Sequence, residues 1–288
     1  MSRLGIEPPA AESVDRERRR GALRSMGPPS GWLRTRTSAV LLPLLGVVIG
    51  VAVWWVGVVA FDVKEVILPA PDKVLDAYNL HSEYLLDQSG VTLLRIVVGF
   101  ALSIAAGVLI GLAIATSRTV ERMFYPLLVA VNAIPKIALG PLLVAWLSFG
   151  EKPVLVMIFL VCFFPIVLAT ATGLTSTPSE LAELVRSLDA SRRQAFIKIR
   201  FPAALPQIFV GLKVAMPLAA IGAVVGEFLP GSDAGLGFVI QQASGVLDTA
   251  LAVAAIVLLA IMTIGLFYAI VAAEHLLLPW VRETTSQR

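Results

Sequence analysis

The chain has 288 residues, 57% of them hydrophobic and only 15% charged, with a formal net charge of +3. Ordinary globular domains carry roughly 25% charged residues, so this composition excludes a simple soluble domain and selects the bilayer as the solvent for most of the chain. A single cysteine, Cys162, and two distant histidines, His81 and His275, exclude a disulfide framework and a cysteine or histidine metal centre, and no cofactor is expected.

Residues 1–38 mix Pro and Gly with the basic run "RERRR", a composition that predicts a disordered basic tail. About 20 apolar residues are needed to cross roughly 30 Å of hydrocarbon. Six stretches are long enough, at about 39–61, 92–116, 124–148, 153–174, 206–229 and 250–273. The first is too long for a signal-peptide core and lacks a small-residue cleavage site, so it is read as a retained span. A loop is expected over 62–91, then a core of five spans over 92–274 and a short tail over 275–288. In the second span Gly99, Ser103, Gly107, Gly111 and Ala115 recur every fourth residue, placing small side chains on one face where another helix can approach closely. The third span is interrupted by Pro135 and Pro141 with Lys136 between them, and the fifth contains Pro217. Broken helices at membrane depth are tolerated where neighbours or a cavity satisfy the freed backbone. Ionisable groups there are functional suspects. Pro135, Lys136, Pro141 and Glu227 are therefore candidates for the pathway or gate, the alternative for Lys136 and Glu227 being a structural pair or an interfacial position.

Between the fourth and fifth spans the chain changes character. "TPSELAELVRSLDASRRQAFIKIRFPAALPQI" (177–208) carries five basic and three acidic residues. Thr177, Pro178 and Glu180 form a helix start with a capping box. Leu181, Leu184, Val185 and Leu188 follow at i, i+3, i+4 and i+7. A second short helix is expected after Ser191, with Ala195, Phe196 and Ile199 on one face and Pro202 and Pro206 marking its end. The pattern describes two amphipathic helices with exposed apolar faces and basic rims. Such a surface binds a partner or lies on the membrane; the plainer reading is a loop whose arginines only satisfy topology. With both termini cytoplasmic, cytoplasmic segments hold 17 of the 23 basic residues and the outer loops hold three, Lys64, Lys73 and Lys152. That bias is in the direction of the positive-inside rule and puts this loop in the cytoplasm.

These residues resemble the signature of the integral-membrane permease subunits of binding-protein-dependent ABC importers: Glu-Ala-Ala, three residues, Gly, nine residues, Ile, one residue, Leu-Pro. Glu183, Ile199 and Pro202 fall on its Glu, Ile and Pro. Leu184 and Val185 replace the alanines, Asp189 the glycine and Phe201 the leucine. Asp tolerates the positive φ that glycine provides at such a bend and can cap the second helix. The likeness extends over most of 66–275, including "LPAP" at 68–71, "IPKIALGPLLVAW" at 134–146 and "GEFLPGSDAGLGF" at 226–238. It is greatest to the branch carrying nitrate, sulfonates, taurine and pyrimidine precursors.

The resemblance implies an all-α membrane protein of six transmembrane helices in the cell membrane, with a cytoplasmic two-helix coupling loop at 177–205. It also implies two copies of a separate ATPase subunit, an extracytoplasmic solute-binding protein and a second permease copy, by expectation a homodimer. Glu183, Leu184, Val185, Arg186, Asp189, Ile199 and Pro202 then form the element that docks on the ATPase, where an apolar stripe fills a groove and rim charge sets the register. The chain contains no phosphate-binding Gly-x-x-x-x-Gly-Lys-Ser/Thr loop, no His-Glu-x-x-His and no Ser-His-Asp set. No catalytic residue is assigned and no nucleic-acid partner is expected. A secondary transporter and a membrane-embedded enzyme are the alternatives; six spans with no evident inverted repeat oppose the first, and spans without catalytic groups oppose the second.

Overall fold

The structure, a computed structural model, describes residues 36–115, 117–176 and 191–280. The chain divides into two compact units, 1–61 and 62–288. The first contains α1 (Arg36–Ala60), a 25-residue helix that admits Pro43 and begins within the expected tail. It is apolar all round, the pattern of a helix solvated by lipid.

The second unit is a helical bundle. After Asp62, which takes a positive φ of 47°, α2 (Pro71–Leu80) starts on Pro71, where a missing N–H costs nothing. It is followed at once by α3 (Ser82–Ala115). Thus 62–91, expected as a loop, is largely helical. At 1.5 Å per residue the 34 residues of α3 extend about 51 Å, well beyond the hydrocarbon thickness.

The third expected span is two pieces, α4 (Arg118–Asn132) and, after a 3-10 turn Lys136–Leu139, α5 (Gly140–Leu147). The two arms are bent by 77°. The break has a local cause: Pro135 offers no N–H and disfavours helical geometry at Ile134, so α4 ends just before it and Pro141 restarts the helix near the first position of α5.

The centre of the unit is α6 (Glu151–Thr175), which packs most extensively against α7 (Phe201–Glu227) and α3. Glycine contacts fix both registers. A Cβ at Gly99 would meet Ile158 at 2.7 Å, one at Gly107 would meet Ile166 at 2.8 Å, and Gly111 lies against Thr170. That fixed offset means α3 and α6 run parallel. In α7 the order reverses, with Gly211 against Ala169, Gly222 against Ile158 and Gly226 against Val154, so α6 and α7 are antiparallel. Where Gly222 and Gly226 stand, a Cβ would come within 2.9 and 2.8 Å of the α6 backbone. Small residues are therefore the condition for this contact, as expected for helices that associate in lipid by close packing. The core combines Ile96 and Phe100 of α3, Ile158, Cys162 and Ile166 of α6, and Ile208, Ala215, Met216 and Ala219 of α7.

Ahead of α7 the helix does not stop at Pro202 and Pro206 as the sequence suggests. A one-turn helix, Arg192–Ala195, passes into a π-helical stretch, Phe196–Arg200, and directly into α7, so that Arg193–Glu227 is one helix of 35 residues. The Phe201 N–H reaches back five residues to the Phe196 carbonyl. This wider turn precedes Pro202, which lacks an N–H and would clash with a carbonyl in ordinary α geometry. Ser191 and Gln194 form a reciprocal cap, Ser191 N–H to Gln194 Oε1 at 3.0 Å and Gln194 N–H to Ser191 Oγ at 3.3 Å. Ala195 is buried and Phe196 packs on the core, so this apolar face is covered by the bundle and not exposed as expected.

After α7 come α8 (Leu236–Gly245) and α9 (Thr249–Leu277), the latter capped by Asp248 on the Leu251 N–H at 3.1 Å. Among the described residues, five helices are long and apolar enough to span a membrane, or six if the bent α4–α5 pair counts as one.

Candidate functional site

One face of α3 carries Gln88, Thr92 and Arg95 and continues, at the same helical spacing, into Gly99, Ser103, Gly107 and Gly111. The small residues receive α6, and Ser103 donates its hydroxyl proton to the Gly99 carbonyl of its own helix at 2.7 Å, with the Phe159 carbonyl of α6 farther off at 3.4 Å. The three polar residues above them meet the end of α7 and the start of α8.

Glu227, the last residue of α7, is fully buried. Its carboxylate accepts from Thr92 Oγ1 at 2.9 Å, from Arg95 Nη1 at 3.0 Å and from the Gly237 N–H at 2.7 Å. Arg95, itself 4% exposed, also donates to the Ala234 carbonyl at 2.6 Å. Through Nε, at 2.7 Å, and Nη2 it forms a two-pronged pair with Glu151 at the start of α6. A planar guanidinium suits this role because its fork can meet two carboxylates and a carbonyl at once. The cluster holds one positive and two negative charges, and the excess charge sits on Glu151, whose side chain is 60% exposed.

The cluster also caps a helix that cannot cap itself. The residue before α8 is Gly235, with no side chain to offer. Its N–H donates to Gln88 Oε1 at 2.6 Å, that of Leu236 to Thr92 Oγ1 at 2.7 Å, and that of Gly237 to Glu227. Three successive free donors at a helix start are thereby satisfied by tertiary partners, and a carboxylate sits where the helix dipole favours negative charge. This accounts for the glycines of "DAGLGF". A Cβ at Gly235, whose φ is +105°, would run into the Glu227 carboxyl, and one at Gly237 would lie 2.8 Å from Glu227 Cβ. The segment is built around a buried carboxylate, not a phosphate.

Glu227 thus belongs to a structural pair. Arg95 and Thr92 carry the site with it and were not among the sequence candidates, although a lone arginine inside "VTLLRIVVGF" is itself a signal at membrane depth. Pro135 and Pro141 bracket the α4–α5 break, and Lys136 lies within it. Lys136 Nζ donates to the Asn132 carbonyl and to Asn132 Oδ1, both at 2.7 Å, and stands 5.2 Å from the centre of the Phe164 ring. A further pair, Lys213 to Glu274 at 2.8 Å, ties α7 to α9. Ile199 and Pro202 are half-buried at the junction leading into α7; Glu183, Leu184, Val185, Arg186 and Asp189 lie outside the described residues. No group of three or more potential metal ligands occurs among the described residues.

Residues 90–283 match the family described as "Binding-protein-dependent transport system inner membrane component". A probable ABC transporter permease of Haemophilus influenzae is 34% identical over 80% of this chain and 94% of its own length. The formylaminopyrimidine transport permease of Halalkalibacterium halodurans is 38% identical over 74% of this chain and 86% of its own. Further relatives are named for transport of aliphatic sulfonates, taurine and nitrate. Among solved structures, an inward-facing form of the MetNI methionine ABC transporter aligns with a TM-score of 0.54 at 22% identity, covering 68% of this chain and 95% of that one. At that identity the likeness is one of fold.

Proposed function

Since the chain belongs to the family of binding-protein-dependent transport system inner membrane components, we propose that two copies of it form the pathway of an ATP-driven importer for a sulfonate, nitrate, taurine or pyrimidine-precursor type solute. As a member of that family it is a multi-pass membrane permease for small solutes, a transport component and not an enzyme. In the proposed complex ATP is hydrolysed by two partner subunits docked on 177–205, and a separate protein delivers the solute at the opposite face, where Glu151, Glu227 and α8 lie. Both termini are cytoplasmic in this arrangement, and Glu183 to Pro202 is the docking element. Pro135, Lys136 and Pro141, at the bend of α4–α5, belong to the pathway.

The observation that carries the coupling part of this reading is the unbroken helix Arg193–Glu227. Its first turns expose Arg193, Lys198 and Arg200 together with Ile197, which is 52% exposed. Its far end is Glu227, held by Arg95 and by the start of α8. A helix cannot be stretched, so a displacement imposed at the basic end reaches the ion cluster as a shift of a whole packed element. The cluster then acts as the anchor against which α7 moves.

The test is copurification of the ATPase subunit with this chain, followed by ATP hydrolysis in reconstituted vesicles with and without the binding protein. Binding-protein-stimulated hydrolysis with two permease chains per two ATPase subunits is expected. A single permease chain per pair of ATPases, or solute uptake driven by an ion gradient with this chain alone, would refute the proposal.

A further inference from the structure

Three basic residues lie within the membrane-spanning core, and two are neutralised: Arg95 by Glu227 and Glu151, and Lys213 by Glu274. The third, Lys136, makes no ion pair with a carboxylate among the described residues. Its two hydrogen bonds, to the carbonyl and side-chain oxygens of Asn132, solvate the ammonium but leave its charge in place. The Phe164 ring beneath it attracts the cation without neutralising it. Phe164 is the fourteenth of the 25 residues of α6, so the charge stands near the middle of the bundle's depth, far from either headgroup region. A lysine without a counter-ion at such depth faces water or an anion, because hydrocarbon around it is strongly unfavourable. Half-buried on the surface of this chain, at a 77° break between two helix segments, it stands where irregular backbone is tolerated only beside protein or a water-filled cavity.

We propose that Lys136 touches the permeating solute and favours a negatively charged group, so that the solute is a small anion of the sulfonate or nitrate type and not an uncharged heterocycle. This rests on the permease reading above. It predicts a local field that attracts small anions and repels small cations at the α4–α5 bend.

That field can be read without knowing the solute. Ala133, exposed at the end of α4 one turn before Lys136, is changed to Cys. The only native thiol, Cys162, is fully buried and stays silent. In the assembled complex in vesicles during ATP turnover, the thiol is challenged with two methanethiosulfonates, anionic sulfonatoethyl and cationic trimethylammonium-ethyl. The anionic-to-cationic rate ratio is expected to fall about tenfold on Lys136→Gln and to be retained in Lys136→Arg. An unchanged ratio in Lys136→Gln, or a thiol that reacts with neither reagent, overturns the proposal. Binding-protein-stimulated ATP hydrolysis of the parent, measured in the same vesicles, separates the two readings. If it is present while the ratio does not move, only the anion preference falls. If it is absent, the permease reading falls and the anion preference with it.

Discussion

Removing Arg95 strands a carboxylate that has no route to water. In Arg95→Met, Glu227 remains fully buried and keeps the Thr92 and Gly237 donors but loses the cation that it pairs with among the described residues. Breaking one side of a buried pair costs about 3–5 kcal/mol. Loss of the bond to the Ala234 carbonyl adds roughly 1 kcal/mol. Glu151 contributes little, because its exposed side chain rehydrates. Glu227→Gln removes the charge but keeps the shape and an acceptor for Gly237, for a loss of about 1–3 kcal/mol. The decisive variant is the double change, Arg95→Met with Glu227→Gln. It strands no charge, and it is expected to be more stable than Arg95→Met alone by about 2 kcal/mol; with the cost of Glu227→Gln by itself included, the coupling is about 3–5 kcal/mol, at or above the upper end of what contacting residues show. Unfolding of the purified protein in mixed micelles by increasing detergent denaturant measures all four proteins on one scale. A double variant as unstable as the sum of the two singles would show that Arg95 and Glu227 act independently, and the ion-pair account of α8 capping would fail.

Gly99→Ala should lower the unfolding free energy in the same assay by about 1–3 kcal/mol, since the added Cβ meets Ile158 at 2.7 Å, whereas Gly265→Ala in α9, with nothing within 4 Å, should be neutral or stabilising. Gly235→Ala combines a positive φ of 105° with a collision at the Glu227 carboxyl, and a loss of about 2–4 kcal/mol is expected. In the proposed coupling loop, Leu184→Asp should leave membrane insertion intact and abolish ATPase pull-down, because a charge without a partner in the proposed docking groove costs several kcal/mol; Asp189→Gly should be tolerated and Asp189→Val not, as a β-branched residue resists the positive φ expected of the bend. A Cys placed at the exposed Ser191 should be protected from impermeant thiol reagents in intact cells and react after permeabilisation; labelling from outside would reverse the orientation.

The sequence by itself determined what short-range chemistry decides. Apolar runs of sufficient length name the spans because the bilayer imposes a minimum length, and Pro135 and Pro141, closely spaced around Gly140, mark a break that Pro43, Pro126 and Pro165 inside their helices do not make. The spacing of Gly99, Ser103, Gly107 and Gly111 named the face of α3 that meets another helix, since a period of about four residues makes a stripe whatever the partner. The partner itself was not legible. That Gly99 meets Ile158 and Glu227 meets Arg95, 132 residues apart in the chain, follows from how α3, α6 and α7 register, and that register is set by interlocking side chains from all three. Pro202 shows the same limit from the other side. Read locally it ends a helix, but a π turn ahead of it, with Phe196 and Ala195 packed on the core, carries the helix through. The glycines of "DAGLGF" likewise name no partner in the sequence; tertiary packing places a carboxylate in the space their side chains would have filled. Backbone preference and hydrophobic length belong to a segment, whereas the partner of a buried charge belongs to the assembled bundle.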